Sequence, residues 1–166
     1  MPGPMLPAVM TPKTRANAGT RAAGVQREPA QGSRCWLVKQ EPESYPWTAF
    51  SYERRASWDG VRNYQARNNL MSMSVGDRVL FYESGDSKAV VGTARVARAA
   101  YPDPTAGEPG WVSVELEAQA ALARPVPLAR IKADPGLAGI ALVRNSRLSV
   151  MPLSAEDFAR IVGLGA

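Results

Sequence analysis

Residues 58–69 read Trp58-Asp59-Gly60-Val61-Arg62-Asn63-Tyr64-Gln65-Ala66-Arg67-Asn68-Asn69. A turn at Gly60 leads to Asn63, a helix N-cap, and the helix is expected to run to about Met73. At i, i+3, i+4 spacing, Ala66, Leu70 and Met73 share one stripe while Tyr64, Arg67 and Asn68 share another. Aromatic faces stack on flat rings, asparagine amides both donate and accept hydrogen bonds, and arginines grip phosphate. The segment suits a nucleobase better than a metal or a fatty chain.

Strand-like stretches surround this helix. Upstream, Cys35-Trp36-Leu37-Val38-Lys39 reads as a strand, Pro42 and Pro46 break it, and Trp47–Arg54 reads as a short helix started by Pro46. Downstream, Val75-Gly76-Asp77 turns into a strand at Arg78–Ser84, and Gly85-Asp86-Ser87 folds it onto a second strand, Ala89–Ala99. Pro102, Pro104, Gly107, Pro109 and Gly110 mark a long loop, and Trp111–Ala120 alternates as a half-buried strand. Short helical pieces are expected at Pro125–Ile131 and Asp134–Ala138, a last strand at Arg147–Met151, and a helix from Ser154 to near Gly163. Met71, Met73 and Met151 read as core filler, and Cys35 as a small buried hydrophobe. No βαβ rhythm or internal repeat is visible. The fold class is α+β, a mostly antiparallel sheet or small barrel with short helices around it.

The totals narrow the function. The chain has 166 residues, room for one domain with a real core, and no run of apolar residues long enough to span a membrane. The first residues do not read as a secretory signal, and a lone Cys35 fits a reducing cytosol, with nucleoid association if the source is bacterial. With one cysteine and no histidine, neither a Cys/His zinc site nor a Cys–His or Ser–His pair can be built within the chain. Asp59, Asp77, Asp86 and Asp103 sit in turns, no carboxylate pair has the spacing of shared proton work, and Gly60 and Gly76 are isolated rather than part of a phosphate loop. A binding module is expected rather than an enzyme, with no cofactor and no metal. Residues 1–33 hold Lys13, Arg15, Arg21 and Arg27 against Glu28 alone, more than half of the net +5. This Pro-, Gly- and Ala-rich stretch reads as a disordered basic tail, and 34–166 as the folded domain.

Five motifs together resemble one family. They are Trp36-Leu37-Val38-Lys39-Gln40-Glu41-Pro42, the stretch Trp58 to Leu70, Gly76-Asp77-Arg78-Val79-Leu80-Phe81-Tyr82, Ala100-Tyr101-Pro102-Asp103-Pro104, and Ser146-Arg147-Leu148-Ser149-Val150. In this order they are similar to the EVE domain, of the PUA-like superfamily that includes YTH and ASCH domains. The resemblance implies a small PUA-like β-barrel and a pocket for a flipped modified base, with modified cytosine in DNA the first expectation. The chain has Gln40 where the family often has Ser or Thr, Glu83 where it often has His, and Ser72 and Ser74 where basic residues are common. The lost positive charge is expected to weaken duplex binding more than base binding.

The expected base pocket comprises Trp36, Lys39, Glu41, Trp58, Gly60, Val61, Asn63, Tyr64, Tyr82 and Ser149, with Arg62, Arg67, Asn68 and Arg147 on phosphate. Trp58 is its indole wall, because Gly60 lets backbone approach a ligand. Bland readings stand beside these. Trp36 and Tyr82 fit the core as well, Tyr64, Arg67 and Asn68 fit a solvated helix face, and at the strand end that Lys39 and Glu41 flank, Glu41 fits an ion pair with Arg62 or Arg67. Two other functions remain open: a reader of modified RNA, and a small-molecule or partner-binding module of a stress or restriction system.

Overall fold

A computed structural model describes residues 34–166 of the chain, so the expected tail at 1–33 lies outside the described residues. The elements follow the order β1 (Cys35–Gln40), α1 (Trp47–Glu53), β2 (Arg55–Trp58), α2 (Tyr64–Ser72), β3 (Arg78–Glu83), β4 (Ala89–Pro102) and β5 (Val112–Pro127). Then come α3 (Leu128–Ala133), a 3-10 turn at Pro135–Leu137, α4 (Ala141–Arg144), β6 (Val150–Leu153) and α5 (Ala155–Leu164). No helix of the described residues is long and apolar enough to cross a membrane.

The six strands form one sheet in the order β2-β5-β4-β3-β1-β6. Among the described residues its ends, β2 and β6, share no ladder, so the six-stranded sheet is not closed by hydrogen bonds. Four of the five pairings are antiparallel, but β1 and β3 run parallel, Cys35 opposite Arg78 through Gln40 opposite Glu83. A parallel pair needs a crossover, and residues between the two strands supply it with α1, β2 and α2.

Burial follows each strand's place in the sheet. Trp36, Leu37 and Val38 of β1 and Val79, Leu80 and Phe81 of β3 are covered on both faces, as expected for central strands. The helices seal the sheet with Phe50, Ala66, Leu70, Phe158 and Ile161. Gly92 lets α1 lie flat on β4: a Cβ there would stand 2.5 Å from the Trp47 ring. Asp77 ties the starts of β1 and β3 together, accepting from Trp36 Nε1 at 2.9 Å, Ser74 N at 2.9 Å and Arg34 N at 3.2 Å. Ser154 caps α5 by accepting from Asp157 N, as the sequence suggests.

Several expectations are corrected. β2 is a strand at Arg55–Trp58, where the sequence suggests no element between the helix ending at Arg54 and the turn that follows Trp58. β4 and β5 run on to Pro102 and Pro127, and the last strand starts at Val150 rather than Arg147. Met73 and Met151 are core residues, whereas Met71 is exposed.

Candidate nucleic-acid interface

Because β1 and β3 are parallel, their C-terminal ends lie side by side and both chains must leave the sheet there. β1 departs into a turn at Glu41–Tyr45, and β3 into Ser84 and Gly85. The incoming end of β6 lies against β1, with Lys39 N donating to Ser149 O at 3.0 Å. The diverging segments leave a cleft of about 350 Å³ lined by Lys39, Gln40, Glu41, Ser44, Ser84, Ser146, Arg147 and Ser149. That volume lies in the range of small-ligand sites.

The cleft is polar. Lys39 Nζ donates to Ser146 O at 2.7 Å and sits 5.8 Å from the centre of the Tyr82 ring, and partial burial lowers its pKa. Tyr82 lies beneath it, 3% exposed, with its phenol pKa raised by burial. Ser84 holds the floor by donating to Gln40 O through both N and Oγ, at 2.8 and 3.3 Å. Glu41 and Arg147 stand exposed at the rim. The site therefore presents one carboxylate, two cations and four hydroxyls, a set that recognises a ligand edge carrying both donors and acceptors.

A second cluster stands at the start of α2. Asn63 caps the helix, its Oδ1 accepting from Ala66 N at 2.8 Å. Tyr64 stacks on Trp111, ring centres 5.0 Å apart and planes 23° from parallel. The Arg67 guanidinium lies 5.1 Å from the Tyr64 ring and 5.6 Å from Trp111, with Arg62 also 5.6 Å from Trp111. Arg62 is neutralised by Asp103 at 2.9 Å, while among the described residues Arg67 donates only to neutral acceptors, Gly110 O and Asn68 Oδ1.

Asp103 organises the loop behind this ridge. Burial pushes its pKa up, but hydrogen bonds from Thr105, Gly60 N and Arg62 outweigh that and hold it below the usual carboxylate range. Asp59 is raised to about 6, first by burial and then by the charge of Asp103.

The expected site is thus divided among three places. Lys39, Glu41, Ser149 and Arg147 meet in the cleft, while Arg62, Tyr64, Arg67 and Asn68 belong to the ridge. Trp36 and Trp58 are core residues, 1% and 3% exposed. The indole wall expected at Trp58 is corrected: β2 alternation turns Ala56 and Trp58 inward, and Tyr45, Phe50 and Phe81 pack edge-on against the ring. Gly60 does adopt φ +80, but Asp103, not a ligand, approaches its N–H at 2.8 Å. Val61 packs on the core. Glu41 is ion-paired with neither Arg62 nor Arg67 among the described residues. Glu83 is structural: its Oε2 accepts from Trp47 N at 2.8 Å and fixes the start of α1. Sequence reasoning missed Gln40, Ser44, Ser84 and Ser146 in the cleft, and Asp103 and Trp111 in the ridge.

The EVE domain model matches residues 34–164. The chain belongs to the EVE domain family. Thymocyte nuclear protein 1 of Mus musculus is 35% identical to it over 166 residues, spanning 80% of this chain and 74% of the mouse protein. A solved protein from Agrobacterium tumefaciens is 38% identical with a TM-score of 0.78, covering 81% of this chain and 94% of that one. Human thymocyte nuclear protein 1, solved in complex with DNA containing 5-methylcytosine, is 30% identical with a TM-score of 0.71, covering 80% of this chain and 98% of that one. This EVE domain thus shares its architecture with a DNA-bound relative over the described residues.

Proposed function

We propose that this EVE domain is a binding module for DNA that takes one flipped, modified cytosine into the cleft at the ends of β1 and β3. The observation that carries the reading is the lining: a carboxylate between cations and hydroxyls in a recess of about 350 Å³. Cytosine offers an exocyclic amine donor beside ring acceptors, so Glu41 takes the amine while Lys39 and the serines donate to the acceptors. Arg147, at the rim, holds a phosphate. The human relative with 5-methylcytosine DNA supports the choice of base.

Flipping costs a few kcal/mol of stacking and pairing, which the cleft contacts must offset. A methyl group in an apolar pocket is worth about 1–3 kcal/mol, and a polar cleft places this domain at the lower end. The preference for 5-methylcytosine over cytosine is therefore expected to be about five- to ten-fold.

The test is fluorescence polarisation with matched DNA and RNA strands carrying 5-methylcytosine, cytosine or thymine at one position. Glu41→Gln keeps the shape, loses the charged acceptor and should erase most of the preference for cytosine over thymine. Equal wild-type binding of all three bases, or a Glu41→Gln variant with unchanged base preference, would refute the assignment. Stronger binding of the RNA strands would move the reading to RNA.

A further inference from the structure

The ridge at the start of α2 has features that packing does not explain. Tyr64 is 65% exposed, so its ring contributes little to the core even though Trp111 and Arg67 hold it in a fixed pile. Arg67 is held in place by Gly110 O at 2.9 Å and Asn68 Oδ1 at 3.0 Å. Neither acceptor is charged, and no carboxylate pairs with this guanidinium among the described residues. An ordered aromatic face beside an uncompensated, pre-positioned guanidinium matches a base with its phosphate.

The ridge also has a direct mechanical link to the cleft. Asn69 Nδ2 donates to Val150 O at 2.7 Å, next to Ser149 of the cleft. Tyr64 lies five residues earlier on the same helix, roughly 8 Å away at 1.5 Å per residue. A nucleic-acid strand advances about 3.4 Å per stacked nucleotide, so it covers that distance in about two or three nucleotides.

We propose that the Tyr64–Trp111–Arg67 ridge is a second nucleic-acid contact, which stacks an unpaired base a few nucleotides along the strand from the one in the cleft and holds its phosphate on Arg67. The inference rests on the cleft reading only for which base occupies the neighbouring site. The ridge itself would bind a single strand whatever its sequence.

The test uses the full chain with two probes, a short fluorescein-labelled single-stranded deoxyoligonucleotide containing one 5-methylcytosine, and the free nucleoside 5-methyl-2′-deoxycytidine. The variants are Tyr64→Ala and Arg67→Gln, with Arg67→Lys to restore charge without the planar fork. Stacking is worth about 1–3 kcal/mol per base, so Tyr64→Ala should weaken oligonucleotide binding about ten-fold. Arg67→Gln should lower the slope of log K against log salt by about 0.7, the value for one phosphate on a single strand, and Arg67→Lys should restore most of it. Nucleoside binding, measured by calorimetry, should not change in any of them. Unchanged oligonucleotide affinity and salt slope would overturn the proposal, as would an equal loss for nucleoside and oligonucleotide, or a wild type that binds no oligonucleotide. If the wild type ignores the nucleoside while the variants still lose oligonucleotide affinity, the cleft reading fails and the ridge stands.

Discussion

Trp58 separates the two accounts of residues 58–69 most sharply, because an indole that walls a pocket and an indole that fills a core respond oppositely to mutation. In the structure it is 3% exposed, with the rings of Tyr45, Phe50 and Phe81 centred 6.2, 5.8 and 5.8 Å away. Replacing a buried Trp by Ala costs about 3–5 kcal/mol. Each aromatic pair is worth a further ~0.5–1.5 kcal/mol beyond area, and three such pairs put Trp58→Ala at the upper end of that range. At roughly 3–4 °C per kcal/mol for a domain of this size, the midpoint should fall by about 15 °C. Trp58→Phe retains a ring against its neighbours and should lose only about 1–2 kcal/mol. Urea unfolding followed by far-UV circular dichroism gives the stability, and polarisation binding at low temperature gives the affinity per folded molecule. Stability should fall in the order wild type, Phe, Ala, with the base preference intact in the Phe variant. A Trp58→Phe protein of wild-type stability that has lost the preference for the modified base would refute the core assignment.

Two further outcomes follow from carboxylates that the fold withdraws, wholly or in part, from solvent. Asp77→Ala leaves Trp36 Nε1, Ser74 N and Arg34 N without their acceptor at a site 1% exposed, so it should cost about 2–4 kcal/mol in urea unfolding. A loss below about 1 kcal/mol would mean that Asp77 does not tie β1 to β3. For Asp59 the folded pKa is raised from 3.8 to about 6, so the folded state holds its proton more tightly than the unfolded chain. That contribution to stability is complete below about pH 4 and is lost as pH rises through about 6. Asp103 is lowered and has the opposite sign, so the measurement is the difference between wild type and Asp59→Asn across this window. Parallel stability curves for the two proteins from pH 4 to pH 7 would show that Asp59 is not strained.

The secondary structure was legible wherever local chemistry decides it. The Asn63 cap, the Ser154 cap, the turn at Gly85 and the alternation of β5 all depend on residues a few positions apart. β2 was not legible, because its four residues follow Arg54, which leaves α1 at φ 72, and no run of β-branched residues marks the change. The parallel pairing of β1 with β3 was hidden for a different reason. It is set by a crossover that contains a helix, a strand and another helix, and no local pattern encodes which strand the chain will meet on its return.

The same distinction explains which site residues were found. Lys39, Glu41, Arg147 and Ser149 flank strand ends inside the motifs, and the cleft is what those ends enclose. Ser84 enters it only because β3 is parallel to β1, so its membership could not be read before the topology was known. Trp111 reaches Tyr64 across a loop rich in Pro and Gly, whose path is fixed by Asp103 bonding Gly60 N and Arg62. The opening segment is therefore divided at its own helix cap. Before Asn63, Trp58 and Gly60 serve the core and the Asp103 loop. After it, Tyr64 and Arg67 face outward, and Asn69 anchors their helix to the strand that borders the cleft. A helix joined to both surfaces fixes their spacing, and if both hold nucleic acid as proposed, that rigid spacing would cost a bound strand less ordering entropy than two independently mobile sites.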